Sequence, residues 1–418
     1  MGVRAIFSKG MLEAFGNFMR WHVRGSLATA LWIAAVSLVA VGCVTTRGAK
    51  DASKEEIVHF EPVMVVGDLE LEKLNDSELY YAAKSYFAAS DYKQSARYFG
   101  RIADFHPQSQ YRNEALYLAG VSHGHLKSWE EALQRFNELG DAAKGTGDAL
   151  RGAFKVAEAL YSLERYDQAA DVLKIIAERQ DLEAEFRIEA LTQQGICEFE
   201  HALAVTGTFE ASEGTLRRSV ALWQTVDNPD DETRKFAGQA QYFIGEIYRT
   251  YYENVVLNAD KSVEELSRDL EYKAELLLSA QGHYLRAIRI GDGRWATAAG
   301  AQIGGLYENL YDHMANSPAP KELNVDESDV YRQELRKKIR ILITKAITIY
   351  ERTLEAAERI GERNPLVDRT RDRLQKMKEL LLAEATAEER GALESPEQSQ
   401  PEKDPPPPPA GVKRKPRS

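Results

Sequence analysis

The chain has 418 residues, of which 28% are charged and 44% hydrophobic, and its formal net charge at neutral pH is −11. That length is ample for a sizeable core. The acidic balance argues against nucleic acid as a partner, because phosphate-binding proteins show a basic patch or stripe, and two cysteines exclude a disulfide framework.

Taken in chain order, the first element is a leader. Residues 27–41 (LATALWIAAVSLVAV) form an apolar run behind Arg20 and Arg24, and Ala40, Val41 and Gly42 stand directly before Cys43. A basic region, a short apolar region and small residues at a cut are the layout of a secretory signal over residues 1–42, with Met19 as a possible true start. The run is shorter than the roughly 20 residues of a bilayer span. A retained membrane anchor, or an incidental cysteine after an ordinary cleavage site, are the competing readings. Val39-Ala40-Val41-Gly42-Cys43 resembles the lipobox of bacterial lipoproteins, with Ala40 where Leu is commonest. The resemblance implies acylation of Cys43 and a protein anchored to a membrane without spanning it. With Val44 following and no Asp, it implies the outer membrane, periplasmic face. Cys197 then has no disulfide partner, and its apolar helical neighbours Leu191, Ile196 and Phe199 make it a buried thiol.

Residues 43–74 read as the lipidated cysteine and a polar tether. After Asn75 the patterning is helical throughout, and prolines fall between helical segments or after Ser395. Self-similarity is evident at 75–180. Tyr92, Trp129 and Tyr166 lie 37 residues apart, twice running, each followed by a small residue (Ser95, Ala132, Ala169) and a large one (Phe99, Phe136, Leu173). Ala83, Gly120 and Ala157 stand upstream, where two helices must approach closely. This pattern resembles the tetratricopeptide repeat: Leu79, Ala83, Tyr86, Tyr92, Ser95, Phe99 and Pro107 match in the first hairpin, while the second has His123 where Tyr is usual. The resemblance implies an all-α, helix–turn–helix solenoid with three clear hairpins over 75–180.

Residues 181–383 read as a degenerate continuation. A fourth hairpin has a long turn (TGTFEASEG), helices at 236–256 and 266–290 form a fifth, 295–314 is rich in Ala and Gly, and long helices at 331–360 and 368–383 close the stack. Residues 384–418 read as a disordered, Pro-rich tail ending in the basic KRKPRS. That tail is open to contact with peptidoglycan, anionic lipid or an acidic partner, or is a plain solvated terminus. Pro405–Pro409 suits a polyproline ligand or a stiff spacer.

For function, the family resemblance implies a concave face built by the first helix of each hairpin. Tyr80, Tyr117 and Phe154 share one register position on it. Lys84, Val121 and Glu158 lie one turn on, and Phe87, Gly124 and Tyr161 follow, with His125 beside them. An aromatic ladder of this kind suits a bound peptide; packing of the same rings within the stack is the competing account. His123 and His125 are too few for zinc, and Gly291-Asp292-Gly293 follows no strand, so it reads as a helix-terminal turn and not a phosphate loop. No catalytic set, metal or cofactor is indicated. The expectation is a non-enzymatic adaptor for protein partners in the cell envelope, resembling the tetratricopeptide lipoproteins of β-barrel assembly or of gliding motility. The alternative is a cell-wall-associated factor that binds peptidoglycan or resembles the superhelix of lytic enzymes.

Overall fold

The computed structural model describes residues 71–257, 263–316 and 324–394. Cys43, the leader, the tether before residue 71, the break at 317–323 and the tail from residue 395 lie outside the described residues.

Asn75 opens the array. Its side chain accepts the Glu78 N–H at 2.9 Å, and the Glu78 carboxylate accepts the Asn75 N–H at 2.9 Å, a reciprocal cap. Among the described residues thirteen α-helices follow, with no strand. They are α1 (Asp76–Ala88), α2 (Tyr92–Phe105), α3 (Arg112–His125), α4 (Trp129–Ala142), α5 (Gly147–Ser162), α6 (Tyr166–Glu178) and α7 (Ala184–His201). Then come α8 (Glu210–Trp223), α9 (Asp231–Asn254), α10 (Val263–Ile290), α11 (Gly293–Ala315), α12 (Val325–Ile360) and α13 (Pro365–Glu394). Each helix packs chiefly on its neighbours in sequence, so the molecule is an all-α solenoid.

The three leading hairpins share one turn. Ser90, Lys127 and Glu164, spaced by 37 residues, have φ of 60°, 62° and 60°. The residue after each donates its N–H five positions back, from Asp91 to Tyr86, Ser128 to His123 and Arg165 to Leu160, all at 2.9 Å. This is a Schellman closure of the first helix with a non-glycine residue in the left-handed position. Close helix packing follows the small-to-large pattern: a Cβ on Gly120 would lie 2.4 Å from the Phe136 ring, and one on Gly304 would lie 2.2 Å from the ring of Tyr350. The Ala/Gly face of α11 thus receives α12 at a distance that no larger residue permits.

The core is divided. A small cluster of Leu71, Leu79, Tyr80, Ala83, Phe99, Ile102, Ala115 and Ala119 packs the first hairpin on α3, and Ala103, Leu116, Leu139 and Ala143 join α2, α3 and α4. A large continuous cluster runs from Ala132 on α4 to Met377 on α13. In the C-terminal half, polar groups are buried in pairs. Glu246 accepts from Arg249 at 2.9 Å and from the Tyr284 hydroxyl at 2.6 Å, and Lys273 donates to the carbonyls of Tyr252 and Val255, closing the end of α9.

Several boundaries differ from those expected. Helix α8 starts within the expected long turn, because Glu210 to Glu213 supply an acidic first turn. Helix α12 starts at Val325, not at residue 331, and runs 36 residues, about 54 Å. Helix α13 starts at Pro365, where Asn364 accepts the N–H groups of Leu366 and Val367 at 2.9 and 3.1 Å. It continues to Glu394, so the expected boundary at 384 falls inside a helix. The run AEATAEERGALE consists largely of helix formers, and no proline intervenes before Pro396. The Gly291–Gly293 turn closes α10 with Gly291 at φ 92°, and Asp292 caps α11 by accepting the Trp295 N–H at 2.9 Å.

Candidate functional site

A cleft of about 510 Å³ opens over the first three hairpins. Helix α3 forms its floor through Tyr117, Leu118, Gly120, Val121, Gly124 and His125. Phe87 from the end of α1 and Tyr92 from the start of α2 form one wall; Trp129 and Phe136 from α4, with Lys155 and Glu158 from α5, form the other.

The rings of the first wall hold one another. Tyr92 stacks on His125 with centroids 4.0 Å apart and planes 9° apart, and Phe87 meets Tyr92 edge-on at 5.6 Å. On the opposite side, Trp129 fits because residue 124 is glycine: a Cβ there would lie 3.0 Å from the indole. Glu158 accepts from Lys155 at 2.5 Å, with both side chains largely covered. Burial opposes the Lys155 ammonium, but Glu158 beside it outweighs that and holds its pKa above the ordinary lysine value. Behind this pair lies Glu189 of α7. Desolvation raises its carboxyl to about 7, with Lys235 and Lys155 opposing and Glu232 reinforcing. The cleft therefore offers ring faces and apolar edges, one compensated ion pair and the exposed Lys127.

Of the nine groove residues read from the sequence, Phe87, Tyr117, Val121, His125 and Glu158 line the cleft. The others do not. Tyr80 is only 7% exposed; it stacks on Tyr111 at 4.2 Å and donates to Glu114 at 2.7 Å. Lys84 stands outside, exposed, bonded to the Tyr80 hydroxyl and facing Glu114 at 3.5 Å. Phe154 packs half-buried on the large core, and Tyr161 is buried against Tyr166 at 5.0 Å. Tyr117 is itself half-buried, with the Arg151 guanidinium 4.0 Å above its ring. The register was legible; the depth of each ring was not, since one register position meets a different neighbour in each hairpin. Tyr92 and Trp129 lie on the second helices, where the 37-residue spacing marks them as repeat landmarks and not as groove residues.

The two histidines of the His-Gly-His string have different neighbours, His125 the Tyr92 ring and His123 the charges of Glu131 and Arg135, with burial lowering its pKa. Among the described residues no group of three or more His, Cys, Asp or Glu is placed to hold a metal. Burial pushes the Cys197 thiol well up. No helix among the described residues is long and apolar enough to cross a membrane.

The tetratricopeptide repeat family matches residues 79–109. The chain carries a tetratricopeptide repeat. The match spans α1, α2 and the connection to α3, the segment that contributes Phe87 and Tyr92 to the cleft. No curated protein matches the chain. Among solved structures, a Rap protein complexed with competence and sporulation factor is similar at 13% identity, over 76% of this chain and 79% of that one, with a TM-score of 0.33.

Proposed function

We propose that this protein is a non-enzymatic scaffold whose cleft holds a segment of a partner protein in a cell-envelope complex. In this reading acyl chains on Cys43 fix it to the outer membrane, facing the periplasm. The observation that carries the proposal is the open cleft of about 510 Å³ walled by Phe87, Tyr92, Tyr117 and Trp129. Aromatic side chains supply large contact area at low entropic cost, which suits an extended or helical peptide. The chain is longer than the β-barrel assembly lipoprotein it resembles, through the extra helical region at 260–383, and that tilts the reading towards motility machinery.

The test replaces Val121 with a benzoyl-phenylalanine photoprobe in the membrane-bound chain. A discrete protein crosslink is expected from this position and not from the same probe at Ile175, an exposed residue of α6 outside the cleft. Equal capture from Ile175, or none from Val121, would remove the cleft from the function. In parallel, Cys43→Ala is expected to move the chain into the soluble fraction; retention in the membrane would refute the acyl anchor while leaving the cleft reading intact.

A further inference from the structure

Helix α10 packs on α9 and α11 and leaves a third face outward. Along that face run Glu271, Leu278, Gly282, Leu285 and Arg289, at spacings of seven, four, three and four, which is one straight stripe on an α-helix. Leu278 is 62% and Leu285 36% exposed. A Cβ on Gly282 would meet nothing nearer than the Arg286 guanidinium at 3.8 Å, so the centre of the stripe is open.

The charges at the two ends are opposite. Glu271 and Glu275 are exposed at the N-terminal end, and Arg286 and Arg289 at the C-terminal end. None of the four has an ion-pair partner among the described residues. Arg286 is instead crowded by its own sign: desolvation, then Arg217 and Arg289, hold its pKa below the ordinary arginine value. Reversed about its centre, the stripe sets Leu278 over Gly282 and Glu271 against Arg289, with Glu275 beside Leu285 and Arg286.

From this we infer that α10 is a self-association surface, and that its occupant is α10 of a second copy, antiparallel across a two-fold axis. With the axis between Leu278 and Gly282, the Leu278 of each copy lies over the Gly282 of the other. Glu271 of each then faces Arg289 of the other, about 27 Å of helix apart within one chain. Such an interface is isologous and closed, as a two-fold requires. A single helix pair covers less than the standard protein interface, so the association is a weak one. The surface is distinct from the cleft and does not depend on the scaffold reading.

Sedimentation equilibrium of the full chain in mild detergent tests it. The parent is expected to dimerise, and Leu278→Glu to weaken the dimer at least about tenfold, an effect readable at unchanged helicity and melting because the side chain is exposed. Two charge variants make the test specific. Glu271→Arg with Glu275→Arg, and Arg286→Glu with Arg289→Glu, should each be monomeric alone and should form a heterodimer when mixed. A parent that stays monomeric to about 1 mM, the weak end of specific association, overturns the proposal. So does a dimer indifferent to Leu278→Glu, or a failure of the mixed variants to pair.

Discussion

Glu189 shows how one side chain sets a pH response. Its carboxyl holds a proton in the folded chain up to about pH 7, against an ordinary value of 4.5. The folded state therefore binds more protons than the unfolded one between these values. The contribution is fully present below pH 4.5 and is lost as pH rises through 7. Glu189→Gln should raise stability at pH 8 by up to about 3 kcal/mol and leave it unchanged at pH 4.5, as urea melts at the two pH values will show. His283 works the other way: burial depresses its imidazole to about 3, so it favours the fold above 6.5 and that is lost as pH falls toward 3. Comparing variant with parent at each pH isolates the carboxylate. Neither residue could be singled out from sequence. Glu189 reads as one more acid on an acidic helix, and only the depth at which α7 seats it, beside Lys155 and Lys235, gives it a raised pKa.

At the level of elements, hairpin number and period were legible because Tyr92, Trp129 and Tyr166 repeat at 37. The turn that closes each hairpin was not, because Ser90, Lys127 and Glu164 carry no common chemistry and none is glycine. Their left-handed backbone is imposed by the packing of the helices on either side, at a cost of about 1–2 kcal/mol per residue. Glu164 is exposed and outside the cleft, so Glu164→Gly relieves that cost without touching a contact, less the added freedom of the unfolded chain. The expected outcome is a gain of about 0.5–1 kcal/mol in chemical denaturation, where a loss would mean that the turn is not strained. Helix ends were the least legible feature, as the early start of α12 and the extension of α13 to Glu394 show. Both lie where cap and propensity, not apolar periodicity, decide the boundary.

For the molecule as a whole, an all-helical solenoid was readable from periodicity and proline placement, whereas the fastening of its last helices was not. Glu308 of α11 accepts from the Tyr350 hydroxyl of α12 at 2.8 Å and from Arg373 and Lys376 of α13 at 3.0 and 3.2 Å. One buried acid thus ties three helices. Glu308→Ala should cost about 2 kcal/mol, mostly through the stranded Tyr350 hydroxyl, since both cations reach solvent. Limited proteolysis should then release α13 ahead of the rest; simultaneous digestion of the whole array would show that the tie is not local. At the opposite end, the first hairpin shares a small core with α3. Phe87 on one wall and Trp129 on the other are packed on different cores, so a substitution that loosens one jaw of the cleft leaves the footing of the other in place.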